Sequence, residues 1–138
     1  MPADCIFCAI VAGREPASVV AREPSLLAFL DARPVFKGHV LVVPTAHAED
    51  LAALDDPGPL FALVRRVALA VPRALGTQGA FVAVNDRVSQ SVPHLHAHVV
   101  PRSKGDGLRG FFWPRTRYES IEERDAFARS IAAALAAP

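Results

Sequence analysis

His94-Leu95-His96-Ala97-His98-Val99-Val100 restricts the fold of this 138-residue chain more than any other stretch. Polar and apolar residues alternate through it, which is the period of a strand, so the pattern predicts a β-strand over 94–100 ending at Pro101. Its three imidazoles then share one face, with Leu95, Ala97 and Val99 on the other. Their attachment points stand about 6.6 Å apart, twice the rise per residue of a strand. Three of the five histidines of the chain lie on that one face, which points to chemistry.

The remaining pattern supplies a frame for this strand. Residues 6–12 predict a short helix stopped by Gly13. Two aliphatic runs, 18–22 and 26–30, flank a Glu-Pro-Ser turn and predict an antiparallel hairpin. Residues 39–43 read as a buried strand ending at Pro44. Asp55, Asp56, Pro57 and Pro59 mark a helix entrance. Leu60, Leu63, Val64, Val67, Ala68, Val71 and Leu75 then recur at helical spacing up to Gly76, with Pro72 expected to bend the last turn. A strand is expected over 80–84 and a polar loop over 85–91. Ser120 with Glu123 forms a capping box that opens a last helix, expected to bury Phe127, Ile131 and Leu135. Phe111-Phe112-Trp113 reads as a core or dimer-interface anchor. The fold class is α+β, a single domain over 1–138 with a mostly antiparallel five-stranded sheet and two main helices.

Composition narrows the function. A formal net charge of +1 makes no case for a nucleic-acid or membrane partner. No apolar run approaches the roughly 18 residues that span a bilayer. The first residues lack the pattern of a secretory signal, and there are only two cysteines, so the expected location is cytoplasmic. The chain carries no P-loop and no dinucleotide fingerprint.

Two chemistries suit the histidine face: ligation of a catalytic metal, or a histidine nucleophile flanked by positioning groups. A neutral imidazole is a competent nucleophile if its other nitrogen is held by an acceptor. Gln90, Ser91 and the neighbouring loop N–H groups supply neutral donors for an anion, and no carboxylate in the segment offers a base to a hydrolytic metal. These surroundings favour the nucleophile reading, directed at a phosphorus centre.

The run Gln90-Ser91-Val92-Pro93-His94-Leu95-His96-Ala97-His98-Val99-Val100-Pro101-Arg102 resembles the histidine-triad (HIT) family of nucleotide hydrolases and transferases. The likeness continues through Ile6-Phe7, Leu27–Asp31 and Gly38–Pro44 with His47, covering about residues 5–102. It implies His96 as nucleophile, His94 and His98 as triad partners, His39 in support, and Ser91, Gln90, Asn85 and Ser89 around the phosphate. It further implies Asp31 on the ribose hydroxyls and a base pocket walled by Ile6, Phe7, Ile10, Phe29 and Leu41. On the residues alone, Cys5-x-x-Cys8 is half of a metal site or a pair of core thiols. The resemblance completes a structural zinc site of Cys5, Cys8, His47 and His94, and implies a homodimer whose two sheets join. One departure is the loop Asn85-Asp86-Arg87-Val88-Ser89, shorter than in many relatives and free of their glycines. The expected activity is cleavage at the α-phosphate of a nucleoside monophosphate derivative (phosphoramidate, adenylyl sulfate or dinucleoside polyphosphate) through a nucleotidyl-histidine. The alternatives are a nucleotide-binding sensor with little turnover and a hydrolase with zinc on the triad.

Overall fold

The computed structural model describes residues 2–108 and 115–137, so Phe111, Phe112 and Trp113 lie outside the described residues. In chain order the elements are α1 (Ile6–Val11), β1 (Val19–Glu23), β2 (Leu26–Leu30), β3 (Val40–Pro44), α2 (Gly58–Leu75), β4 (Gly79–Val84), β5 (Ala97–Arg102) and α3 (Ile121–Ala136). The five strands form one sheet in the order β1-β2-β3-β5-β4, with every neighbouring pair antiparallel. This is the expected α+β sheet.

Strand alternation divides the core between the two sheet faces. Leu26 and Ala28 of β2, Val40 and Val42 of β3, and Leu95, Ala97 and Val99 bury themselves with Leu60, Leu63, Val64, Val67 and Val71 of α2. On the opposite face Leu27, Phe29, Leu41 and Val43 pack with Cys5, Phe7 and Cys8 of the α1 region. The even-numbered histidines of the 94–98 run are thereby turned to the α1 face.

Three expectations need correction. The strand begins at Ala97, three residues later than the alternation suggests, and runs on to Arg102. The β3 and β4 ladders to it both start at Ala97. Before that point the backbone bonds to loops: His94 N–H donates to Val92 O and Leu95 N–H to Ala48 O. The in-out alternation survives because Leu95 is fully buried on the α2 side. Secondly, Leu75 ends α2 exposed, with a methyl over Gly38.

The third correction concerns α3. Contact density divides the chain into two compact units, 1–106 and 107–138. The capping box of α3 forms, with Ser120 Oγ accepting from Glu123 N–H and Glu123 Oε1 accepting from Glu119 N–H. Phe127, Ile131 and Leu135 are nevertheless exposed, and the helix buries none of its residues. Capping and helical spacing are local properties, whereas burial needs a facing surface.

Gly38 leads into β3 with φ +98°, a conformation that an L side chain adopts only with strain. A Cβ there would also clash with a Leu75 methyl. Gly38→Ala should therefore destabilise the fold by roughly 1–2 kcal/mol. A lower denaturant midpoint at unchanged m-value is the expected result.

Candidate functional site

The α1 face of the sheet holds two adjoining clusters, and His94 links them. Cys5 is the N-cap of α1, its sulfur accepting from Cys8 N–H, and this one helical turn brings both cysteines beside the sheet. Their sulfurs meet the Nδ1 atoms of His47 and His94. Cys5 Sγ lies 3.4 Å from His94 Nδ1, and Cys8 Sγ lies 3.3 Å from His47 Nδ1 and 3.5 Å from His94 Nδ1. The two imidazole nitrogens are 3.2 Å apart. All four donor atoms fall within 4.8 Å of one another. Bond lengths usual for zinc build a tetrahedron with edges of about 3.4–3.8 Å, so the spacings fit one ion of that size. His94 Nε2 lies 2.8 Å from Pro44 O, to which it donates, and this fixes the ring with Nδ1 bare and turned to the sulfurs. The residues present could hold a tetrahedral metal.

The second cluster lines a cavity of about 600 Å³, an ordinary size for a small-molecule site. Ile6, Phe7, Ile10, Phe29 and Leu41 supply an apolar wall, and Asp31, Ser91, His96 and His98 supply polar groups. His96 is buried at 4 % exposure. Its Nδ1 lies 2.8 Å from the carbonyl oxygen of His94. A carbonyl only accepts, so Nδ1 carries the proton and Nε2 keeps its lone pair. The Phe7 ring stands edge-on to His96, with centroids 5.1 Å apart, and limits its rotation. His98 Nδ1 lies 2.9 Å from His39 Nε2. Asp31 Oδ1 accepts from Arg33 N–H, a turn contact, and its Oδ2 lies 3.7 Å from His39 Nδ1.

The three triad rings therefore have different neighbours. His94 Nδ1 faces the cysteines, His96 Nδ1 faces a carbonyl, and His98 Nδ1 faces His39. A metal shared by all three lacks convergent donors, because among the described residues no ligand cluster joins them.

Of the residues expected around a nucleotide, nine line the cavity and others do not. Asn85 and Ser89 are exposed in the loop before the triad and are not cavity-lining residues. Gln90 turns its amide away and donates to Glu49 O. That loop is docked on the 49–51 segment by Asp86 Oδ1, which accepts from Leu51 N–H. It also keeps left-handed turns without glycine, at Arg87 (φ 73°) and Ser89 (φ 60°). Sequence reasoning missed Pro16, Ala17, Ser18, Leu30, Ala32 and Val92 in the cavity wall. Small and aliphatic side chains carry no chemical signature that could have marked them.

An open antiparallel sheet, with a histidine pair in a cavity on one face and a Cys2His2 cluster beside it, defines a class of small α+β proteins. A family model described as "HIT domain" matches residues 12–105. "Protein hit" of Bacillus subtilis is 36% identical over 127 residues, covering 88% of this chain and 86% of that protein. "Adenosine 5'-monophosphoramidase hnt1" of Schizosaccharomyces pombe is 37% identical over 114 residues, covering 80% and 84%. A crystal structure of a HIT family member from Bacillus subtilis superposes with a TM-score of 0.87 at 36% identity, covering 98% of this chain and 99% of that one. A zinc-bound histidine triad family protein from Mycobacterium smegmatis superposes at 0.70 with 37% identity, covering 94% and 97%. The chain belongs to the HIT domain family.

Burial, then the neighbouring His96 and His39, push the His98 pKa down to about 4, with Asp31 opposing. Unfolded histidine titrates near 6.5, so the folded state resists protonation more than the unfolded one does. The contribution of His98 to stability is complete above about pH 6.5 and is lost as the pH falls toward about 4. Between pH 7 and pH 5 the wild type should lose more stability than His98→Asn, read as the shift in denaturant midpoint.

Proposed function

We propose that this protein is a nucleotidyl hydrolase or transferase that cleaves the bond between the α-phosphorus and the leaving group of a nucleoside monophosphate derivative. A phosphoramidate is the favoured substrate type, with adenylyl sulfate and dinucleoside polyphosphates as further members of the class. The observation that carries this reading is the His96 ring, buried beside the cavity, with Nδ1–H on the His94 carbonyl and a bare Nε2. The similarity to a relative named as an adenosine monophosphoramidase supports it.

In this reading Nε2 attacks the phosphorus, a histidine N–P bond forms as the bond from phosphorus to the leaving nitrogen breaks, and the leaving amine takes a proton from solvent. Water or another acceptor then breaks the N–P bond and frees His96. Ser91 and His98 offer neutral donors to the phosphoryl oxygens, where charge is held during transfer. Asp31 accepts from the ribose diol, and Ile6, Phe7, Ile10, Phe29 and Leu41 enclose the base. Asn85, Ser89 and Gln90 are assigned to the surroundings of the phosphate, and for Gln90 this requires its amide to release the Glu49 carbonyl. Zinc is assigned to Cys5, Cys8, His47 and His94 as a structural ion. The protein acts as a cytoplasmic homodimer, for which light scattering should give twice 14.7 kDa.

Turnover of adenosine 5'-phosphoramidate tests the reaction. His96→Ala should lower kcat at least about a thousandfold, near 4 kcal/mol of barrier, while nucleotide binding persists. Substantial turnover by that variant rejects the nucleophile.

Asp31 carries the sugar assignment. Facing a 2′-deoxy sugar, its carboxylate loses one donor at roughly 1–3 kcal/mol, so ribonucleotides should lead by about tenfold or more in kcat/KM. Asp31→Ala should erase that preference, and a preference that survives in the variant returns Asp31 to a turn role alone.

Elemental analysis should find about one zinc per chain, since four donors suit one tetrahedral ion. Chelation should lower Tm. A metal-free protein of unchanged Tm makes Cys5 and Cys8 ordinary core thiols.

A further inference from the structure

The segment between β2 and β3 presents a backbone group to the histidines. Val35 N–H lies 3.1 Å from His39 Nδ1, and an amide N–H can only donate. His39 Nδ1 therefore holds a lone pair. Burial, the main cause, lowers the His39 pKa, so the ring is neutral and its single proton sits on Nε2. Nε2 is 2.9 Å from His98 Nδ1, which fixes the direction of that bond: His39 donates and His98 accepts. His98 is neutral as well, so its own proton stands on Nε2, which makes no hydrogen bond to the described residues.

A rival could have set the opposite order. The Asp31 carboxylate stands 3.7 Å from the same His39 Nδ1 and, being an acceptor, would hold a proton there. That distance exceeds a hydrogen bond. With the order reversed, His98 would carry its proton on Nδ1 and turn a lone pair toward an anionic phosphate. The amide at 3.1 Å outcompetes the carboxylate at 3.7 Å.

We infer that Val35 is a positioning residue whose backbone N–H, acting through His39, holds His98 as a hydrogen-bond donor to the phosphoryl oxygens in the cavity. The inference rests on the function proposed above and deepens it by assigning the direction of each hydrogen bond behind the site. No proton is transferred along the chain; the N–H groups are held in place before the substrate arrives.

Val35 has an exposed side chain, so it can be replaced with little effect on packing. Proline at this position removes the N–H and nothing else polar. The test compares Val35→Pro with Val35→Ala in the full chain, using adenosine 5'-phosphoramidate. Loss of a preorganised donor acts on the transition state, so kcat of Val35→Pro should fall at least about tenfold below that of Val35→Ala, with KM within about threefold. Nitrogen-15 NMR of the wild type should find the His39 proton on Nε2, and in Val35→Pro it should move to Nδ1, toward Asp31. A wild-type His39 protonated on Nδ1 overturns the inference, as does a folded Val35→Pro with the kcat of Val35→Ala. If the proline variant does not fold, the wild-type spectrum decides. If the wild type does not turn over the phosphoramidate, the proposed function falls, and the spectrum still decides the hydrogen-bond order.

Discussion

The hydrogen bond between His96 Nδ1 and the carbonyl of His94 ties together nearly everything on the α1 face. It selects the His96 tautomer, and it does so from a residue whose own ring is fixed elsewhere. His94 donates through Nε2 to Pro44 O at the end of β3, and its Nδ1 sits among Cys5, Cys8 and His47. One residue therefore gives its side chain to one cluster and its carbonyl to the other. Moving the 92–96 backbone would disturb both, which explains the non-strand bonds to Val92 O and Ala48 O that pin it.

The sheet makes this arrangement possible by keeping its two faces distinct. The α2 face is filled by aliphatic side chains, with Leu63, Leu95 and Val99 almost wholly buried. That packing holds the backbone of β3 and β5 still, and the histidines inherit the rigidity on the other side. Within residues 2–106, the helix that packs on the α1 face is only six residues long. A helix so short leaves space beside it, and the cavity occupies that space.

Left-handed backbone flanks the site, without strain at a glycine and with it at two other residues. Gly38 at φ +98° turns the chain into His39, and Arg87 and Ser89 hold left-handed conformations in the loop that delivers Ser91. Such conformations persist where surrounding bonds enforce them. Here the bonds from Leu51 N–H to Asp86 and from Gln90 to Glu49 O enforce them in the loop.

Much of the fold was legible because the signals were local. The period-2 run at 94–100, the helical spacing from Leu60 to Val71, and the stops at Gly76 and Pro44 each follow from short-range geometry, and each element formed. The alternation also separated Leu95, Ala97 and Val99 from the histidines correctly, even though the ladder begins only at Ala97. The sequence could not say that Leu95 N–H bonds to Ala48 O or that the His94 ring bonds to Pro44 O, because those partners lie about fifty positions away. It could not say that Gln90 faces Glu49, or that the apolar stripe of α3 stays exposed, because helical spacing does not reveal what surface lies opposite. The resemblance could name His39, while only the folded chain set Val35 N–H against its Nδ1. Side-chain identities and their periods are properties of the sequence. The direction of a hydrogen bond between two imidazoles depends on which backbone group stands behind them, and only tertiary structure decides that.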